Sequence, residues 1–307
     1  MRLRNSPPRS TSFFCVVMRS IPAGPQSSGR PPSSVDRMRG FVRLPLHVGP
    51  TRASAGAGTA GASLTTPSDD QRGHNVQTPE PVRRRIHIDL RAIRDNSTRL
   101  LGSETASYAD LRADAYGHGA VRVAEALDAE GYEGFVVSPE LDRAALSHLS
   151  TPLLDADAVN SDRITGGSLF GLSDRAYRPA MRVSAEVLAV KDVQAGEGVS
   201  YGYSYVTTEQ TQLALVGVGY AHGVVRRASN TAPVLIGGAT RTIVGAISMD
   251  QFSVDLHGAE VSPGDLAILF GDPASGEPSI LDWQHATGLR AAAIASRMSP
   301  RFERSYT

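Results

Sequence analysis

The side chains best suited to chemistry are few and widely spaced. Of the 31 basic residues, 30 are arginine and one is lysine, Lys191. A reaction that needs a side-chain primary amine, such as imine formation with an aldehyde, therefore has a single address. Positive charge, by contrast, is supplied throughout by guanidinium. The one cysteine, Cys15, excludes an intrachain disulfide and a cysteine-cluster metal site, and no metal-ligand set is read elsewhere. The most informative run is Leu111-Arg112-Ala113-Asp114-Ala115-Tyr116-Gly117-His118-Gly119. It reads as a strand entering a glycine-flanked turn that opens a helix. The free N–H groups of a helix start attract anions, and Tyr116 can add a hydroxyl. An ordinary βα turn accounts for the same glycines.

The elements that must position this run follow from hydrophobic period. Ile86 to Leu90 alternates as a strand, and Leu90, Ile93, Ser97, Leu100 and Leu101 then carry a helical spacing. Tyr108 to Asp114 reads as a strand, Val121 to Leu127 as a helix closed by Gly131, and Gly134 to Ser138 as a buried strand. A helix from Pro139 through Leu149 and a short strand at Pro152-Leu153-Leu154 follow. Strand alternating with helix predicts a parallel βα sheet. From about Ala180 the pattern changes to short strands with turn signals: 183–190, 212–219, 232–236, 241–246, 252–256 and 266–269. These predict an antiparallel β-barrel or sandwich, with one helix over Ser279 to Arg290.

The formal charge of zero hides two unlike segments. Residues 1–82 hold ten arginines, four acids and 11 of the 19 prolines, with no period of 2 or 3.6. Such a segment buries too little to offset its ordering entropy, and we expect it to be disordered. A targeting presequence, a nucleic-acid-binding tail and untranslated upstream sequence are the other readings of it. The remainder is acidic. No apolar run approaches the ~18 residues of a membrane span, so neither a membrane nor a nucleic-acid partner is expected.

The run around Arg112 resembles the signature of the alanine racemases, and further motifs follow in that family's order. They are Ala195-Gly196-Glu197-Gly198-Val199-Ser200-Tyr201-Gly202, Gly219-Tyr220-Ala221-His222-Gly223, Gly245-Ala246-Ile247-Ser248-Met249-Asp250-Gln251 and Ser299-Pro300-Arg301. The resemblance covers roughly 84–154 and 162–307. It implies a (β/α)8 barrel followed by a β-domain, pyridoxal 5'-phosphate (PLP) as cofactor, alanine as substrate, a dimer, a cytoplasmic place and D-alanine supply for the cell wall. It also implies roles for particular residues. Arg112 stands where the family has its PLP-binding lysine. Tyr201 matches the second catalytic base, which comes from the other subunit. Tyr116 matches a phosphate-contacting tyrosine, and Met249 and Tyr220 match substrate-site residues. Packing within the β-domain is the plainer reading of Tyr201 and Tyr220.

The departures from that pattern are equally specific. Guanidinium stays protonated and is a poor nucleophile, so Arg112 is not expected to hold PLP covalently. Lys191 lies on a β-domain strand, outside the motif. Eight βα units need roughly 200 residues or more, and 86–182 has room for about three or four. The arginine that faces the PLP ring is Arg163 by residue type, but Ile164 is in register, and Ala292 replaces a family tyrosine. The expected organisation is therefore a disordered segment 1–82, an incomplete (β/α) barrel over 83–181 and a β-domain over 182–307. Three functional readings stand: a divergent racemase, a non-catalytic homologue that forms a homodimer or a heterodimer with a full-length racemase, and a decayed gene product.

Overall fold

The computed structural model describes residues 81–103, 106–298 and 300–307. The segment expected to be disordered lies outside these residues, apart from 81 and 82, as does Ser299. The chain enters through β1 (Arg84–Ile88), whose alternation buries Ile86 and Ile88. Helix α1 (Leu90–Gly102) begins on Asp89, whose carboxylate accepts from the Arg91 and Ala92 N–H groups at 2.9 and 3.0 Å. This cap satisfies donors that the first helical turn leaves free. Its apolar side buries Ile93, Ser97 and Leu100, as the spacing predicts.

Three short strands, β2 (Tyr108–Asp110), β3 (Gly134–Val136) and β4 (Leu153–Leu154), pair in parallel. Ala109 sits opposite Phe135, and Phe135 opposite Leu153. Helix α2 (Ala120–Leu127) connects the first two. On the free side of β2, Ile164 makes a single parallel bridge to Tyr108.

The second half is built on β5 (Met181–Val193), a long strand with a register shift between Val187 and Ala189. It is followed by β6 (Gly198–Val199), β7 (Tyr205–Val206), β8 (Thr211–Val216), β9 (Pro233–Ile236), β10 (Ala239–Val244), β11 (Phe252–Asp255) and β12 (Leu266–Phe270). The order β12-β9-β10-β11-β8-β5 closes on itself because β12 also pairs with β5. The result is a closed antiparallel barrel, which removes the edges a sandwich would keep. A shift along β5 makes closure possible: its first half pairs with β12 and its second half with β8. Helices α3 (Ile280–Thr287) and α4 (Ala291–Ala295) and strand β13 (Glu303–Tyr306) complete the chain. Trp283 of α3 is fully buried, and its indole N–H donates to the Leu269 carbonyl at 2.6 Å.

Four sequence expectations are corrected. Strand β1 is not part of the βα run. It lies antiparallel to β5 and parallel to β13 in the large sheet, with Ile86 opposite both Val183 and Arg304. The strand predicted over Tyr108 to Asp114 stops at Asp110, because the chain turns left-handed after Arg112. The helix predicted from Pro139 through Leu149 is a single 3-10 turn, Arg143–Leu146, in which only Leu146 is buried. The predicted helix to Arg290 ends at Thr287, where Gly288 takes φ 67° and its N–H caps the Gln284 carbonyl. No helix of the described residues is long and apolar enough to cross a membrane.

Candidate active site

The site is built on the C-terminal end of β2. Asp110 occupies the last position of that strand and is 0% exposed. Arg112 lies two residues on and turns its guanidinium back onto this carboxylate. Nε donates to Oδ1 at 2.8 Å and Nη2 to Oδ2 at 2.7 Å, a two-pronged ion pair. The Arg112 backbone N–H also reaches Oδ1, at 3.2 Å. Tyr116 donates its hydroxyl to Oδ2 at 2.7 Å. The hydrogen bond to Asp110 pushes the Arg112 pKa further up. Burial, then the bond to Asp110, pushes the Tyr116 phenol well above its ordinary range. Both groups are therefore protonated at neutral pH, the Tyr116 hydroxyl giving its one proton to Asp110 and the Arg112 guanidinium giving two of its N–H groups.

Between them the backbone does something unusual. Ala113, Asp114, Ala115 and Tyr116 all have φ between 52° and 55°, a short left-handed helical turn. Each L-residue there costs roughly 1–2 kcal/mol, so the turn needs holding from several sides. The Ala113 N–H donates to Ser138 Oγ at 2.9 Å, and the Asp114 carboxylate accepts from the Ala120 N–H at 2.8 Å. The Ala115 N–H donates to the Leu111 carbonyl at 3.0 Å. The His118 ring, fully buried, bonds through Nδ1 to the Ala115 carbonyl at 2.9 Å and stacks on Phe170 with centroids 4.5 Å apart. Burial lowers its pKa to about 4, so the ring is neutral. Gly117, at φ 80°, abuts the Ala295 carbonyl, and Arg304 donates to the Gly117 carbonyl.

Beside the turn opens a cavity of about 770 Å³. Tyr116 lines it together with Gly167, Ser173, Gln284, Arg290 and Ala292. The structure thus brings together three stretches that sequence reading treated separately: the Tyr116 turn, the Gly166-Gly167 segment and the region of Ala292. Arg163 is occupied elsewhere, paired to Glu133 at 2.7 Å and lying over the Tyr108 ring.

The remaining candidate residues lie in the β-domain. Tyr201 follows β6 in a turn with Ser200 at φ 62° and is 64% exposed. Tyr220 and Met249 are neighbours through the backbone. The Tyr220 N–H donates to the Ser248 carbonyl at 3.0 Å and the Ala221 N–H to the Met249 carbonyl at 2.9 Å. Both side chains are exposed, at 41% and 54%, and Arg226 lies over the Tyr220 ring. Lys191 is exposed on β5 opposite Leu213 and does not line the cavity. Among the described residues no group of three or more His, Cys, Asp or Glu is placed to hold a metal ion.

Sequence reasoning missed Asp110, His118 and Phe170. For Asp110 no local signal existed, because the strand ends at this residue and Arg112 folds back onto it from the turn beyond.

Comparison with known proteins agrees with this layout. Residues 88–150 match the model "Alanine racemase, N-terminal domain", and residues 180–306 match "Alanine racemase, C-terminal domain". An alanine racemase of Salinispora arenicola is 36% identical over 289 residues, 86% of this chain and 76% of that protein. One of Thermobifida fusca is 49% identical over 137 residues, 45% of this chain but only 37% of the relative's length. The crystal structure of alanine racemase from Streptomyces lavendulae aligns with a TM-score of 0.64 and 25% identity, over 74% of this chain and 97% of that one. Family members are PLP-dependent. With two family models matched in order and a relative 36% identical across most of both chains, the protein belongs to the alanine racemase family.

Proposed function

We propose that this chain is an alanine racemase-family protein that does not interconvert L- and D-alanine unaided. One observation carries the reading: the position that resembles the PLP lysine is Arg112, and its guanidinium is forked onto the buried Asp110. PLP supplies an aldehyde that joins an amine and a ring that accepts electrons. The residues present do not fit it. No amine faces the cavity at this motif. The hydroxyl of Tyr116 has one proton, and it is given to Asp110 rather than to a phosphate. What these residues do is hold one another: Asp110 fixes the Arg112 guanidinium and the Tyr116 hydroxyl, and of the three only Tyr116 lines the cavity.

The incomplete-barrel reading belongs to the same proposal, with its start moved past β1, which pairs with β5 and β13 and so joins the β-domain of 182–307. It is supported by three parallel strands and by Ile164, which bridges to Tyr108 where a closing strand would lie. The roles that resemblance assigns to Tyr201, Tyr220 and Met249 are part of it too, and their exposure leaves them free to meet a partner. That exposure also favours a second reading, a non-catalytic homologue that associates through its β-domain with itself or with a full-length racemase.

The test is direct. Full-length protein is incubated with PLP and L-alanine, and D-alanine is measured by chiral separation. We expect no D-alanine above the protein-free control. Sustained turnover, with a borohydride-stable PLP adduct on the protein, would overturn the proposal.

A further inference from the structure

We propose that Asp110 is the residue that keeps this site in a non-covalent form: a buried counter-ion that would hold an amine at position 112 protonated. The inference rests on the reading above and extends it from Arg112 to its partner. Asp110 is wholly buried at a strand end, and its carboxylate has three sources of hydrogen bonds. These are the Arg112 guanidinium at 2.8 and 2.7 Å, the Tyr116 hydroxyl at 2.7 Å and the Arg112 backbone N–H at 3.2 Å. The last two do not depend on the side chain at 112. The carboxylate is therefore fixed in place whatever cation stands beside it.

A buried carboxylate is costly unless a cation pairs with it, and guanidinium serves because it never loses its proton. A lysine in the same place would meet the same fixed charge. An opposite charge within hydrogen-bond distance favours the protonated amine and raises its pKa. Only the neutral amine carries the lone pair that attacks a carbonyl carbon. Each unit of that rise removes tenfold of the neutral form at a given pH. Restoring the amine alone would leave it switched off. Asp110 is thus a positioning residue that acts through position 112.

The test titrates the introduced amine rather than any enzymatic turnover. Two proteins are compared, R112K/K191R and R112K/D110N/K191R, in which the introduced amine is the only lysine. Each is labelled with trace acetic anhydride across a neutral-to-alkaline pH series. The amine nitrogen takes the acetyl group, acetate leaves and the amine proton passes to solvent. Labelling at position 112 is read by peptide mapping. We expect the amine to titrate at least one unit higher with Asp110 present, so that labelling near neutral pH is about tenfold slower. Equal titration in the two proteins would overturn the proposal. Should an amine-bearing variant not fold, R112M and R112M/D110N supply the second measurement. R112M is expected to lower the denaturation midpoint and D110N to restore part of it, whereas no restoration would overturn the counter-ion role. Neither readout depends on racemisation, so wild-type turnover would sink the earlier reading without deciding this one.

Discussion

His118 shows how burial sets the chemistry of a single residue in this site. Its ring sits between Phe170 and the left-handed turn and bonds to the Ala115 carbonyl, with Arg304 as the nearby charge. Its pKa falls from the ordinary imidazole value near 6.5 to about 4, chiefly through burial. The unfolded chain therefore binds the proton more readily than the folded one. The stability this group contributes is complete above about pH 6.5 and is lost as pH falls towards 4. We expect the urea midpoint to fall between neutral pH and pH 4.5. H118N keeps a donor for Ala115 but cannot titrate, and should flatten that part of the profile. A wild-type midpoint that does not move, or an H118N profile that moves as far, would sink the assignment. Motif order made Arg112, Tyr116, Tyr201, Tyr220 and Met249 legible in the sequence as candidates, of which the structure brings Arg112 and Tyr116 together on Asp110. Asp110 was not legible, since within a strand it reads as one more alternating position. Its importance comes from complete burial beside Arg112, which only the folded chain supplies.

The left-handed turn over Ala113 to Tyr116 is the element on which the site depends. Gly117 closes it at φ 80°, and a Cβ there would lie 2.8 Å from the Ala295 carbonyl. A side chain would add backbone strain to a clash with main chain that cannot move aside. G117A should therefore destabilise the protein by about 1–3 kcal/mol, a loss of several degrees in Tm. A melting curve that overlays wild type would mean that the turn is more adaptable than its packing implies. Most of the barrel strands were legible, because 2-residue alternation and glycine turns are local signals. The partners of β1 were not. Its pairings reach from Ile86 to Val183 and to Arg304, and no local pattern records contacts that distant. The expected helix from Pro139 through Leu149 failed for a related reason. Asp142 caps a turn by accepting from the Ala144 N–H at 3.0 Å, but only Leu146 is buried beyond it. One buried side chain does not offset the cost of ordering three helical turns.

At the scale of the molecule, the parallel strands and the barrel share one apolar core, from Ile93 and Phe135 through Phe170 to Trp283. The surface is less even. The exposed large apolar side chains among the described residues are Tyr201, Tyr203, Val206, Tyr220 and Met249. They sit on segments stitched together by hydrogen bonds. Ser200 Oγ donates to the Ala246 carbonyl at 2.6 Å, Asn230 joins Ser204 to the Gly245 N–H, and the Tyr220 turn bonds to Ser248 and Met249. Exposed apolar side chains on segments linked in this way are what an association surface requires. We expect light scattering to give a concentration-dependent mass above that of one 32.5 kDa chain. Placing two carboxylates in the face, V206E with Y220E, buries unpaired charge in any complex made through it. At roughly 2–4 kcal/mol in total, association should weaken by about 30-fold or more, with circular dichroism unchanged. Association as strong as in the parent would move the contact elsewhere on the molecule. A monomer at every concentration would leave this face to a partner other than a second copy.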